Sequence, residues 1–160
     1  MTGFVPEDFA VPDELVCDGF VLRPLAAEHN AADHAAWMAS IDHIRATPGF
    51  RGRRWPFPMT PEQNLRDVER HQQDFNERSG FTYTVLNPAG EVIGCVYIYP
   101  SDQPDFDAFL RSWVRADHGQ LDGRVWEAVV TWVQVSWPFA NVDTADRTRT
   151  GSRTDRDQTS

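Results

Sequence analysis

Three groups of side chains in this 160-residue chain have types and spacings that chemistry uses. Tyr97 and Tyr99 stand two apart in an apolar run, so they share one face of a strand. A phenol there serves either as a proton donor or as an amphipathic core residue with a wet hydroxyl. Asp105 and Asp107 lie in the polar stretch before the next apolar run, where a carboxylate acts as a base or simply solvates a loop. Arg51, Arg53 and Arg54 crowd one loop with Phe50, Trp55 and Phe57. Grouped guanidiniums hold a carboxylate or a phosphate, unless this is a solvated loop pinned by Trp55.

Composition removes several other chemistries. The chain carries 24 acidic residues against 15 basic ones, and every basic residue is Arg. Without Lys there is no Schiff base and no phosphate loop of the Walker type. The acidic balance argues against nucleic acid and anionic membrane surfaces as partners. Cys17 and Cys95 are too few for a zinc site or a disulfide framework, and Cys95 reads as a buried structural thiol. The five His (29, 34, 43, 71 and 118) show no metal-ligand spacing, so no metal is expected. No apolar run reaches the ~18 residues of a membrane span, and the N-terminus has no signal-peptide pattern. A soluble, cytoplasmic protein is the expectation.

The elements that must position these groups centre on Phe81 to Pro100, two strand-like runs split by Asn87-Pro-Ala-Gly90. Val92 to Tyr99 is apolar on both faces, as in a strand covered on both sides. Ala108 to Val114 follows as a third strand, and a helix-period stripe from about Gln120 to Trp137 packs across the sheet. Upstream, residues 1 to 18 read as an extended arm, Phe20 to Leu25 as the first strand and Ala31 to Ser40 as a helix. Thr60-Pro-Glu-Gln63 is a capping box that opens a helix running to about Arg78, closed by Ser79-Gly80. Asp117-His-Gly-Gln120 reads as a second capping box. Phe139 to Val142 reads as a short last strand, and residues 143 to 160 as a disordered polar tail. The pattern predicts one domain over residues 19–142, a small sheet with helices laid on it.

That order, with Phe20-Val-Leu-Arg-Pro-Leu25 and the Gly94-Cys-Val-Tyr-Ile-Tyr-Pro100 strand, resembles the GNAT (Gcn5-related) N-acetyltransferases. The resemblance covers roughly residues 20 to 142 and rests most on the hairpin. It implies an α+β fold whose mixed, mostly antiparallel sheet, flanked by about three helices, splays between its fourth and fifth strands, with acetyl-CoA in the gap and its pyrophosphate at the N-terminus of the next helix. By position, the strand end Trp113, Val114 and Arg115 would meet the pantetheine arm, and Gly119 and Gly123 would let the phosphates approach. Asp117 and Asp122 depart from the family's phosphate signature, and Arg115 and Arg124 would offset their charge. The helix and two strands that the family places after the fifth strand have no counterpart here, so the domain reads as C-terminally truncated.

The function so implied is acetyl-CoA-dependent N-acetylation of a small-molecule amine. Tyr97 is the candidate acid toward the thiolate and Asp107 the candidate base. Arg51, Arg53, Arg54 and Trp55 would recognise an acidic group on the acceptor. The alternative is a catalytically inactive GNAT-like binding domain that forms a homodimer through its sheet edge.

Overall fold

The structure, a computed structural model, describes residues 3–144 and 147. Six strands form one sheet in chain order: β1 Leu15–Cys17, β2 Phe20–Pro24, β3 Phe81–Leu86, β4 Val92–Pro100, β5 Ala108–Val114 and β6 Val142–Asp143. Neighbours are antiparallel except β5 and β6, which run parallel. Helices α1 Asn30–Met38, α2 Ile41–Ala46 and α3 Pro61–Asn76 lie between β2 and β3, and α4 Asp122–Ser136 lies between β5 and β6. This is the mixed, mostly antiparallel class that the family resemblance implies, with one helix more. At six residues α2 is too short to show a periodic stripe.

The sheet separates two cores. One face meets α4 and the N-terminal arm through Phe81, Tyr83, Val96, Ile98, Trp132 and Trp137. The arm is held there by Phe4 stacked on Phe81 and Phe139, by Phe9 against Trp137, and by the Tyr83 hydroxyl donating to Pro12 O. The other face meets α1, α2 and α3 through Leu25, Trp37, Ile44, Val68, Cys95 and Trp113.

Four local readings change. Leu15–Cys17 of the arm pairs with β2 as an edge strand. Helix α3 begins on the Thr60–Gln63 capping box, but at its far end the left-handed residue is Arg78 (φ 61°), not Gly80. Gly80 is required for another reason: a Cβ there would stand 2.1 Å from the ring of Tyr99. The second capping box does not form. Asp117 turns to Arg115 and His118, residues 116–121 make a 3-10 turn, and α4 starts after Leu121 with no side-chain cap. Finally, Asp143 belongs to β6 and Arg147 docks on α4, so residues 143 to 160 are not wholly a disordered tail. The rest of that stretch, 145–146 and 148–160, lies outside the described residues.

Candidate active site

Two features flank β5. The first is a cleft of about 890 Å³ between the sheet and helices α1 and α3, roofed by the loop that carries Trp55. Its size is that of a small-molecule pocket. The helical spacing of α1 puts Asp33 on the face shared with Ala36 and Trp37, and all three are buried. Asp33 lines the cleft and accepts from Asn64 Nδ2 at 3.0 Å, while Asn64 Oδ1 accepts from Trp37 Nε1 at 3.1 Å. Burial raises the Asp33 carboxyl to about 6, against the smaller lowering pull of the Asn64 hydrogen bond and of His34. A carboxyl that titrates there is a poised base near neutral pH.

Across the cleft, β4 presents Tyr97 and Tyr99 on one face, as their spacing requires. The Tyr97 oxygen accepts from Trp113 Nε1 at 2.9 Å. Burial first, then the neighbouring Cys95 and Asp33, pushes its pKa well up, so the phenol keeps its proton. Tyr99 donates to Asp74 Oδ2 at 2.8 Å, and its oxygen lies 2.9 Å from His71 Nδ1, which also contacts Thr82 Oγ1 at 3.1 Å. With the Tyr99 proton directed at Asp74, His71 Nδ1 is the donor to Tyr99 and its Nε2 is the unprotonated nitrogen. Burial lowers His71 to about 4, so it is neutral at pH 7.

The second feature is a fork in the sheet, where the flanking residues Leu110, Ser112 and Val114 are buried. Strand β6 pairs with β5 only at Ala108↔Val142 and Phe109↔Asp143. Asp107 sets this branch point: its carboxylate accepts from the N–H groups of Ala140 and Asn141, and its own N–H donates to Asn141 O. Beyond Phe109 the outer edge of β5 has no strand partner among the described residues. Arg115 N bonds Ile93 O on the β4 side, whereas Ser112 O faces the fork, so by alternation the backbone groups of Leu110 and Val114 face it too. Ser112 Oγ is buried there without a partner among the described residues. Above the first turn of α4, a Cβ on Gly123 would meet nothing within 4 Å.

The sequence-derived candidates divide between these places. Tyr97, Arg53, Arg54 and Trp55 come together in the cleft. Arg51 does not; its Nε donates to Ala46 O outside. Asp107, expected as the base, is also outside the cleft, with its carboxylate engaged by two backbone donors. Trp113 turns its indole to the cleft side, and Val114 packs beneath α4. Gly119 and Gly123 lie on the approach to α4. The two flanking cations are already tied: Arg115 to Asp117 and Val92 O, Arg124 to Asp18 O. Asp117 is held at about 2 by its bonds from Arg115 and His118. Asp122 is paired with Arg147, whose guanidinium also bonds Ser112 O and lies over Trp126, across the fork.

Sequence reasoning missed Asp33, Asn64 and His71. The available signal was periodicity: Asn64, Asp67, His71 and Asp74 recur at helical spacing beside the stripe through Val68. Among the described residues no three His, Cys, Asp or Glu stand together as metal ligands, and no helix is long and apolar enough to cross a membrane.

The family model described as an acetyltransferase (GNAT) domain matches residues 20–158. No curated protein matches the sequence. Among solved structures, the ribosomal-protein-S5-alanine acetyltransferase of Vibrio fischeri is 15% identical with a TM-score of 0.56, over 75% of this chain and 66% of that one. A ribosomal L7/L12 alpha-N-protein acetyltransferase in complex with coenzyme A is 16% identical with a TM-score of 0.58, over 74% and 66%. The microcin C7 self-immunity acetyltransferase MccE, in complex with acetyl-CoA and AMP, is 17% identical with a TM-score of 0.60, over 78% and 66%. At these identities the likeness is one of fold, and this chain spans just under two thirds of each of the three.

Proposed function

The chain belongs to the acetyltransferase (GNAT) family, and from that premise we propose that it is an acetyl-CoA-dependent N-acetyltransferase acting on a small-molecule amine. One observation carries the reading: the cleft and the fork share β5, the cleft lying over Phe109 and Arg111 and the fork along Leu110 to Val114. A donor in the fork and an acceptor in the cleft then meet at one strand. The fork suits the donor. It offers the outward backbone groups of Leu110 and Val114 to a pantetheine amide, the orphaned Ser112 hydroxyl, and open space over Gly123 at a helix start for phosphates, once Arg147 gives up its bond to Ser112 O. Arg147 cancels the charge of Asp122, which would otherwise repel them.

Bound acetyl-CoA supplies an activated thioester carbonyl. The residues of this chain handle the protons. Asp33, titrating near 6, takes the amine proton directly or through one water as the N–C bond forms. As the C–S bond breaks, Tyr97 gives its proton to the departing sulfur. Its high pKa then returns that proton from Asp33 through solvent, and both groups end as they began. Trp113 holds the Tyr97 oxygen, and Asn64 holds Asp33. Calorimetry with acetyl-CoA and then CoA tests the reading. Absence of heat, and of any melting shift at millimolar ligand, overturns it. Gly123→Glu should abolish the binding, and undiminished affinity would move the donor elsewhere.

A second reading, a binding domain without transfer, is favoured by the engagement of Arg115, Arg124 and Arg147 with protein partners around the fork. Acetyl-CoA binding with no acetyl transfer to any amine of a broad panel would select it. The homodimer belongs to this reading, and the mass in solution tests it.

A further inference from the structure

The charges in the cleft identify the class of acceptor. Five arginines from three segments line it: Arg53 and Arg54 from the roofing loop, Arg66 and Arg70 one turn apart on α3, and Arg111 on β5. The carboxylates that line it are Asp33 and Asp67. Arg70 is paired with Asp67 at 3.0 Å, and Asp33 is bonded to Asn64. Among the described residues Arg53, Arg54 and Arg66 have no carboxylate partner; Arg53 donates to Gly49 O and Arg54 lies 5.5 Å over the ring of Phe57. Arg111 is held over Phe109 at 4.5 Å.

In a chain of formal charge −9, a concave surface with five cations and two carboxylates is not the average surface turned inward. Arg53, Arg54 and Arg66 are exposed at the mouth of the cleft, where like charges gathered on one concave surface repel one another and a bound anion relieves them. One carboxylate is satisfied by one guanidinium in a bidentate pair, so three unpaired guanidiniums exceed what an amino acid's carboxylate requires. A phosphate monoester offers a near-double negative charge and three acceptor oxygens, which matches them. Resting on the acetyltransferase reading above, we propose that the acceptor is a phosphorylated amine, its phosphate held by Arg53, Arg54 and Arg66 and its amine turned toward Asp33.

The test separates this from the transferase reading by measuring donor and acceptor apart. Intrinsic Trp fluorescence, with Trp55 and Trp37 in the cleft, is titrated with O-phosphoethanolamine, inorganic phosphate, ethanolamine and glutamate, and acetyl-CoA is titrated separately by calorimetry. Expected are saturable binding of the two phosphate probes, ethanolamine and glutamate at least tenfold weaker, and a further tenfold loss of phosphate affinity in Arg66→Gln and in Arg53→Gln, with acetyl-CoA affinity unchanged. The inference is overturned if phosphate probes bind no better than glutamate or ethanolamine, or if Arg66→Gln leaves phosphate affinity intact. It is also overturned if that variant weakens acetyl-CoA instead, because the arginines would then serve the donor. Phosphate binding without acetyl-CoA binding would uphold the anion site and defeat the transferase reading alone.

Discussion

The two faces of the sheet are built from the same strands and do opposite work. On the face toward α4, Phe81, Tyr83, Trp132 and Trp137 pack ring against ring, tilted or edge to face, with the arm laid over them, and burial pushes the Tyr83 pKa up, so its hydroxyl only donates to Pro12 O. Water is excluded and the area removed from it stabilises the fold. On the face toward α1 and α3, the same alternation places Tyr97, Tyr99 and Arg111 beside Asp33, Asn64 and His71. Polar groups half withdrawn from water cost stability unless bonded, and they titrate in unusual ranges. Apolar packing and titratable polar groups are therefore divided between the two sides of one sheet.

The sharpest way to break this division is Trp137→Ala. It empties a position in contact with five aromatic rings and should cost about 3–5 kcal/mol in denaturant unfolding. Turnover per folded molecule should hardly change, and a collapse of turnover in protein still folded would refute the separation. Because the Trp137 indole N–H is buried without a partner among the described residues, Trp137→Phe should cost far less.

Asp33→Asn is the converse experiment. We expect kcat/KM to fall about 100-fold, the usual worth of a positioned base, with stability kept or raised because a buried charge is removed. In the parent protein kcat/KM should rise with pH through about 6, and this limb should vanish in the variant. A limb near 4 instead would transfer the base to His71. Tyr97→Phe is smaller: about a tenfold loss in kcat with KM little changed, since solvent can replace the acid. A rise in KM with kcat intact would make Tyr97 a binding residue.

The smallest effect lies in stability against pH. The folded pKa of His71 is lowered below its unfolded value, so between 6.5 and about 4 the unfolded chain holds more protons and acid favours unfolding. The folded pKa of Asp33 is raised, so between about 6 and 3.8 the folded chain holds more protons and acid favours folding. The two nearly cancel in the parent. His71→Gln should therefore gain stability, and Asp33→Asn lose it, on going from pH 7 to pH 5, each by on the order of 1 kcal/mol after solvent screening. Identical profiles in all three proteins would show that neither group is shifted.

What the sequence determined follows from short-range rules. Runs of β-branched and aromatic residues bounded by turn residues set β3, β4 and β5, the Thr60–Gln63 box set the start of α3, and spacing put Tyr97 and Tyr99 on one face. Each of these depends on neighbours within a few residues. The partner of each face was decided only by the fold, because chain separation carries no information about who meets across the sheet. Asp33 and Asn64 lie 31 positions apart and bond in the cleft, whereas Asp107 is turned away by backbone donors 33 and 34 positions downstream. Gly80 reads as a helix terminator locally, yet its missing side chain makes room for the ring of Tyr99. Local propensity fixes which way a side chain alternates, and only packing fixes what stands opposite it and hence its charge and its chemistry.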